Sequence, residues 1–220
     1  MNSRNEILKR LGKIKYRHES SQSAEWQDNT LYSNYPHQAE DLFPVFKKQL
    51  EDLSGEVYFV NDLDHFKSLF LENIKDVNAS LCKAHKSPLI DKIKSIDPEV
   101  SNYFDYIDDK DIDNIQYSKY DIGISCADAL IARTGSILLR TLSAGGRRLS
   151  VLPPTHIVIA ETKQLVPSLD QALIELQKTQ DNYSYATIIS GPSRTADIEK
   201  QLVLGAHGPK RLIVFVIKSS

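Results

Sequence analysis

The sequence predicts an α/β protein with a Rossmann-type, mostly parallel sheet, flanking helices and an N-terminal helical extension. Apolar segments typical of strands alternate with segments whose apolar residues recur at helical spacing, as expected for a sheet covered by helices. The 220 residues suffice to bury a core without disulfides, and 41% hydrophobic with 25% charged residues is the balance of a globular chain. This composition excludes disordered, collagen-like and coiled-coil proteins.

Individual elements follow from periodicity, capping residues and turn residues. Beyond residue 30, helical spacing predicts helices over residues 39–53, 62–74, 87–96, 168–178 and 197–204. Strands are predicted over residues 56–60, 77–81, 122–132, 136–140, 156–160, 185–189 and 212–217. Thr134 and Gly135 favour a tight reversal, so residues 122–140 form either a hairpin or a strand–turn–strand unit.

The chain is predicted to divide near residue 30. Residues 2–18 have an amphipathic helical pattern and a polar stretch follows, so residues 1–30 are expected to be a helix and a linker. Residues 31–220 are expected to form one α/β domain. Within this domain, residues 97–121 are acidic, and we expect a solvated connection anchored by its aromatic residues.

Charge is distributed unevenly along the chain. The formal net charge is −2, but residues 1–121 carry 16 basic and 22 acidic side chains, whereas residues 122–220 carry 11 and 7. Residues 129–160 contain no acid and four arginines. These are Arg133, Arg140, Arg147 and Arg148. A site in this segment is expected to attract a carboxylate or phosphate. The alternative is that buried strands simply lack acids and that the arginines lie on solvated edges.

The sequence carries no signal for a membrane span, for nucleic acid or for a metal cluster. The longest apolar run, residues 212–217, is too short to cross a bilayer, and the first residues do not form an apolar signal segment, so we expect a cytoplasmic protein. A pI of about 6.3 argues against nucleic acid. The two cysteines, Cys82 and Cys126, are expected to be reduced, largely buried thiols, so this chain alone binds no iron–sulfur cluster or structural zinc.

A polar loop at residues 190–199 is the first candidate binding site. It is predicted to close a strand and open a helix at the carboxyl edge of the sheet, where ligands of α/β proteins commonly bind. The candidate ligand-binding residues in this loop are Gly191, Ser193, Arg194, Thr195 and Asp197. Glycine permits close backbone approach, hydroxyls and a helix N-terminus offer donors, and arginine forks onto an anion. The alternative is an ordinary polar helix cap.

Histidines supply the other candidates. His207 lies between glycines just before the last strand and is the candidate catalytic residue, because an imidazole moves protons near neutral pH. His156 follows a rigid Pro-Pro turn and opens a strand. Thr134 and Gly135, at the predicted reversal, complete the ligand-binding candidates. A purely structural role is the alternative for each histidine.

Several sequence blocks together resemble one family. They are Asp121-Ile-Gly-Ile-Ser125, Ala127-Asp-Ala-Leu-Ile-Ala-Arg-Thr-Gly-Ser-Ile-Leu-Leu139, Leu152-Pro-Pro-Thr-His-Ile-Val158, Gly191-Pro-Ser-Arg-Thr-Ala-Asp-Ile-Glu199 and Leu202-Val-Leu-Gly-Ala-His-Gly-Pro209. In this order they resemble the signature of the lactate-utilisation protein C family, the LUD-domain proteins. The resemblance implies a fold similar to the NagB/RpiA/CoA-transferase group. It also implies a role in bacterial conversion of L-lactate to pyruvate alongside iron–sulfur subunits.

One position departs from the family pattern. The family commonly has glutamate where this chain has Arg133, so any acid–base role of that glutamate is absent here. We therefore assign no catalytic base.

Lactate oxidation calls for a flavin, a nicotinamide or a metal cluster, and the chain carries neither a G-x-G-x-x-G motif nor cluster cysteines. We therefore expect a non-redox subunit that binds a small organic anion such as lactate, with iron–sulfur clusters on partner subunits. Arg194 is expected to clamp the carboxylate, Ser193 and Thr195 to hydrogen-bond it, and His207 to contact the hydroxyl. The alternatives are a stand-alone isomerase or acyl-transfer enzyme, for which the fold group is the only warrant, and a scaffold or regulatory subunit.

Overall fold

A computed structural model describes residues 39–75, 79–107, 117, 119–141, 146–178, 185–198, 201–204 and 208–219. These residues all belong to one compact unit of the chain. The predicted helix and linker of residues 1–30 lie outside the described part, as does His207. No helix within the described ranges has both the length and the apolar character needed to cross a membrane.

A five-stranded, entirely parallel sheet forms the centre of the structure. Its strands are β1 (Glu56–Val60), β2 (Cys82–Ala84), β3 (Ile122–Cys126), β6 (Thr155–Glu161) and β11 (Arg211–Ile217), in the spatial order β1-β11-β6-β3-β2. The inner strands β6 and β11 are buried along nearly their whole length. Continuous apolar runs are the pattern of parallel strands covered on both faces, so the predicted α/β fold is confirmed.

The described helices are α1 (Ala39–Asp52), α2 (Leu63–Ile74), α3 (Pro88–Lys94), α4 (Pro98–Ser101), α5 (Gly146–Leu149) and α6 (Leu169–Lys178). The last of these packs in a separate apolar cluster with Ala129, Ile131 and Leu138. The Asp62 carboxylate accepts a hydrogen bond from the His65 N–H at 2.8 Å and begins α2, and the Ser87 hydroxyl caps α3 in the same way. The described part of the acidic connection begins with α4 and includes Phe104, which is fully buried in the main core. The core is otherwise built from the aromatic side chains of α2 packed on β11.

A second sheet lies in the chain segments inserted between the parallel strands. Its strands are β4 (Ala129–Ile131), β5 (Ser136–Thr141), β7 (Leu165–Val166) and β8 (Tyr185–Ile189), in the order β7-β4-β5-β8. β4 and β5 form a hairpin around Gly135, and β8 adds antiparallel to β5. Of the two alternatives for residues 122–140, the hairpin is therefore correct for residues 129–141, whereas β3 belongs to the parallel sheet.

Two predicted elements are wrong. Residues 194–204 form an antiparallel pair, β9 (Arg194–Ile198) and β10 (Gln201–Leu204), instead of a helix over residues 197–204. A segment this short shows too few turns for its apolar spacing to separate a helix from a strand, and pairing between its two halves decides the outcome. The strand predicted over residues 77–81 lies further along the chain, because Ala79–Leu81 is a 3₁₀ turn that leads into β2.

Candidate functional site

A cavity of about 290 Å³ lies at the amino ends of the inner strands β6 and β11. Three chain segments form its walls: the connection from α5 to β6, strand β8 with the loop after it, and the segment before β11. The lining residues are Ser150, Val151, His156, Tyr185, Thr187, Ile188, Ile189, Ser190, Gly191, Pro192, Ser193, Gly208, Pro209 and Leu212. We call it the amino-edge cavity. Its lining is mostly apolar with hydroxyl groups and one imidazole, which is the usual character of a small-molecule site.

The loop after β8 is held in place by its backbone. Gly191 has φ of +92°, and a Cβ at this position would approach the Leu53 carbonyl oxygen to 2.8 Å, so only glycine fits against the end of α1. The Ser193 N–H donates to the Pro209 carbonyl at 2.8 Å and thereby joins this loop to the segment before β11. The Ser193 hydroxyl remains on the cavity wall.

His156 lies at the inner end of the cavity and is fully buried. Its Nε2 hydrogen-bonds the Ser125 hydroxyl, with 2.6 Å between the two atoms, whereas its Nδ1 has no hydrogen-bond partner in the described part of the chain. Burial and, to a lesser extent, the nearby His85 lower the pKa of His156 to about 3. The imidazole is therefore neutral at physiological pH, and it acts as a hydrogen-bonding group rather than as a cation or an effective base.

Among the residues that the structure describes, no Lys, Arg, Asp or Glu lines the cavity. Basic residues adjoin it along the chain: Arg194 directly follows Ser193, Lys210 directly follows Pro209, and both side chains are exposed. The interior thus suits the uncharged part of a ligand, and an acidic group is best accommodated where these exposed cations lie.

The structure brings together three of the predicted site residues, Gly191, Ser193 and His156. Arg194 adjoins the lining as the first residue of β9. Thr195 and Asp197 lie in β9, and their side chains are outside the described part. His207 is likewise outside it and immediately precedes the lining residue Gly208.

Thr134 and Gly135 do not reach the cavity. Gly135 has φ of +60°, and a Cβ there would overlap the backbone of Gln49 and Leu50 in α1. The close approach of α1 explains this glycine without a ligand. Ser136, which follows Gly135, connects this reversal to the cavity. Its hydroxyl hydrogen-bonds the hydroxyl of the lining residue Ser190, and the two oxygens are 2.7 Å apart.

Two expectations about the site's surroundings are corrected. The loop at residues 190–199 lies at the amino edge of the parallel sheet rather than the carboxyl edge, and a strand follows it, so no helix N-terminus contributes donors. Three arginines of residues 129–160 do not line this cavity: Arg133, Arg140 and Arg148. Arg140 pairs with Asp128 at 2.7 Å, and the Arg148 guanidinium lies 5.6 Å from the Tyr117 ring centre. The Arg140 side chain is only 17% exposed, so the alternative of arginines on solvated edges does not hold for it. The Arg147 side chain lies outside the described part.

Sequence reasoning missed much of the lining. Ser150, Tyr185 and Thr187 come from a turn and from the second sheet, and nothing in their local pattern indicates a site. Only the three-dimensional arrangement places them beside His156.

The two cysteine thiols lie away from the amino-edge cavity. Burial raises the pKa of Cys82 to about 12 and that of Cys126 to about 11, so both are protonated at neutral pH. Within the described ranges, no three His, Cys, Asp or Glu side chains are grouped so as to hold a metal ion.

The protein has an α/β fold with a cavity at the amino edge of its parallel sheet. The sequence model of the LUD domain matches residues 43–217, so this chain belongs to the LUD domain family, and the resemblance stated above is confirmed. Curated relatives include the lactate utilization protein C of Macrococcus caseolyticus, 33% identical over 127 residues, which are 56% of this chain and 55% of that protein. The protein of the same name from Halalkalibacterium halodurans is 39% identical over 102 residues, 44% of each chain.

A solved structure supports the fold. The crystal structure of a DUF162 family protein from Deinococcus radiodurans aligns with a TM-score of 0.55 and 16% identity, over 83% of this chain and 99% of that one.

The chain spans about half the length of the curated relatives it matches.

The burial of His156 generates a pH prediction. Its pKa is about 3 in the folded protein and near 6.5 when exposed, so the unfolded state takes up a proton first as the pH falls below 6.5. The protonation of His156 therefore does not lower the free energy of unfolding above pH 6.5. Between pH 6.5 and pH 3 it lowers this free energy with a slope that approaches about 1.4 kcal/mol per pH unit. Urea unfolding between about pH 7.5 and pH 4.5 measures this slope. In His156→Gln it becomes shallower by that amount.

Ser68→Ala, an exposed change on α2 that alters no titratable group, serves as the control and keeps the wild-type slope. Equal slopes for wild type and His156→Gln would contradict the assignment of a neutral, buried imidazole.

Proposed function

We propose that this chain is a component of a bacterial lactate-utilisation system and binds a small organic anion, such as L-lactate, in the amino-edge cavity. The observation that carries the proposal is that the cavity gathers His156, Gly191 and Ser193. His156 comes from one of the sequence blocks that resemble the lactate-utilisation protein C family, and Gly191 and Ser193 come from another. The names of relatives at 33–39% identity support the same role.

The binding mode follows from the charge of the cavity. Arg194, exposed and next to Ser193, clamps the carboxylate, and the Ser193 hydroxyl hydrogen-bonds it. The neutral His156 imidazole and the hydroxyls of the lining serve the uncharged hydroxyl of the ligand. The apolar side chains of Ile188 and Leu212 contact its methyl group. Thr195 and His207 adjoin this site along the chain and complete the proposed set.

The chain is proposed to act without its own redox centre. Oxidation of a secondary alcohol removes two electrons, and an iron–sulfur cluster of the common type needs four cysteine thiolates, whereas this chain has two cysteines. Both thiols are protonated and at least partly buried. We therefore propose that iron–sulfur clusters belong to partner subunits.

Of the stand-alone alternatives, an isomerase or an acyl-transfer enzyme, the acyl-transfer enzyme fits the geometry less well than the proposed binding component. Ser125 and His156 have the spacing of a nucleophile and its base. However, Ser125 is only 3% exposed and does not line the cavity, and an imidazole with a pKa of about 3 is a weak base at neutral pH. Both properties favour a structural hydrogen bond that orients His156 toward a bound ligand.

Ligand-binding variants test the proposed site. Arg194→Ala should raise the Kd for L-lactate by about tenfold or more, because it removes a charge-assisted hydrogen bond. Ser193→Ala should raise it about fivefold, because a neutral hydrogen bond is lost while the Ser193 backbone stays anchored to Pro209. Lys48→Ala, an exposed change on α1, is the matched control and should bind like wild type. Calorimetric or NMR titration measures each Kd, and wild-type affinity in both site variants would contradict the proposal.

The proposed partners are tested by affinity purification. Tagged protein isolated anaerobically from lactate-grown cells should carry iron–sulfur subunits and support L-lactate-dependent dye reduction. Arg194→Ala should retain the subunits but lose most of the dye reduction, because the substitution removes an anion contact rather than the assembly surface. A protein that emerges alone and inactive would argue for an independent binder or enzyme instead.

A further inference from the structure

A second cavity lies at the opposite edge of the parallel sheet. Its volume is about 420 Å³, and it is formed where β2, β3 and β6 end. The lining residues are His85, Lys86, Ser87, Pro88, Leu89, Cys126, Ala127, Asp128, Arg140, Glu161, Lys163 and Gln164. We call it the carboxyl-edge cavity. It shares no lining residue with the amino-edge cavity.

Its position is that of ligand sites in open α/β sheets. The carboxyl ends of three neighbouring parallel strands, at Ala84, Cys126 and Glu161, meet at this edge, and the loops that leave them diverge. Such a divergence produces a crevice that ligands occupy in many α/β proteins. The sequence analysis expects the loop at residues 190–199 at this edge. The structure instead has residues 85–89, 126–128 and 161–164 here.

The polar groups of this cavity are held in fixed positions. The side-chain Nε of Arg140 donates to Asp128 Oδ1 at 2.7 Å, and the backbone N–H of Arg140 donates to Asp128 Oδ2 at 2.5 Å. These side chains are 17% and 22% exposed, so the pair is largely withdrawn from water. Gln164 donates to the Ala127 carbonyl and accepts from the Glu161 N–H, which ties the end of β6 to the end of β3. A rigid polar wall of this kind suits recognition of a polar ligand.

The charges of the lining residues indicate which class of ligand fits the carboxyl-edge cavity. Two acids in the lining, Asp128 and Glu161, are paired with Arg140 and Lys163, the second pair at 2.5 Å. The remaining cation, Lys86, is exposed at the start of the α3 loop and forms no ion pair within the described part of the chain. The lining therefore carries one more positive than negative formal charge. The two carboxylates on the wall oppose a second negative charge on a ligand, which favours a monoanion over a dianion.

We propose that the carboxyl-edge cavity is a second ligand site of this protein and binds a small monocarboxylate through Lys86. The ligand's carboxylate pairs with the Lys86 ammonium, and its body lies over Pro88 and Ala127. The Ser87 hydroxyl, 3.0 Å from Cys126 Sγ, is the nearest neutral hydrogen-bonding group. This proposal is independent of the function assigned to the amino-edge cavity, because the two sites lie at opposite ends of the strands.

Cys126 provides a local reporter for this site. It lines the cavity and is partly exposed, whereas Cys82 is fully buried and slow to react. Alkylation of native full-length protein at mildly alkaline pH therefore reports on the reaction of Cys126. The Cys126→Ser variant measures the background alkylation of Cys82. Sodium acetate and L-lactate should each slow the alkylation in a saturable way. Lys86→Ala should raise the concentration for half-protection about fivefold, as expected for the loss of one partly exposed ion pair.

Three comparisons make the test decisive. Lys48→Ala, which removes an exposed lysine remote from the cavity, should leave the protection unchanged. Ser193→Ala and Arg194→Ala should also leave it unchanged, so failure of the amino-edge site and failure of this proposal are distinguishable. Inorganic phosphate, mostly a dianion under these conditions, should protect less than acetate. Absence of protection by either carboxylate, unchanged protection in Lys86→Ala, or stronger protection by phosphate would each overturn the proposal.

Discussion

The double-sided burial of the inner strands β6 and β11 constrains the rest of the structure. Helices or inserted segments cover both faces, so nearly every side chain on these strands must be apolar. Ligands are thereby confined to the two ends of the strands, and the two cavities are found there. His156 is the buried polar residue of β6, and it is compatible with burial because it is neutral and hydrogen-bonded to Ser125.

The second sheet shapes the cavity at the amino ends of β6 and β11. Its strand β8 leads directly into the Gly191 loop, and β5 holds the start of that loop through the Ser136–Ser190 hydrogen bond. Helix α1 supports the same region, because its carboxyl end leaves room only for glycine at position 191. The amino-edge cavity therefore lies at the end of the parallel sheet but is shaped by the chain inserted between its strands.

The predictable part of the fold is the part governed by local patterns. The apolar runs of β3, β6 and β11 and the capping residues Asp62 and Ser87 identify their elements from sequence alone. The two errors have different causes. Residues 197–204 are too few for their apolar spacing to separate a helix from a strand, and the pair that β9 and β10 form is local. The edge at which the Gly191 loop lies depends instead on a distant pairing, because Ile137 of β5 pairs with Ile189 of β8 and no local pattern connects these residues.

The candidate site was predictable only in part for the same reason. Gly191, Ser193 and His156 were chosen from residue type and loop position, and the structure places them on one cavity. Ser150 and Tyr185 carry no such signal, and the low pKa of His156 follows from a burial that its position after two prolines does not reveal. Sequence analysis does not find the carboxyl-edge cavity, because its lining residues come from four separate segments of the chain.

The central claim is that the amino-edge cavity binds a small organic anion beside a neutral His156. It is tested most directly by following the His156 ring resonances in labelled, full-length protein during titration with L-lactate. The account predicts saturable shifts of these resonances with the ring remaining neutral, and the same concentration dependence for the backbone amide of Ser193. Ring and amide resonances that do not move at saturating L-lactate would contradict it.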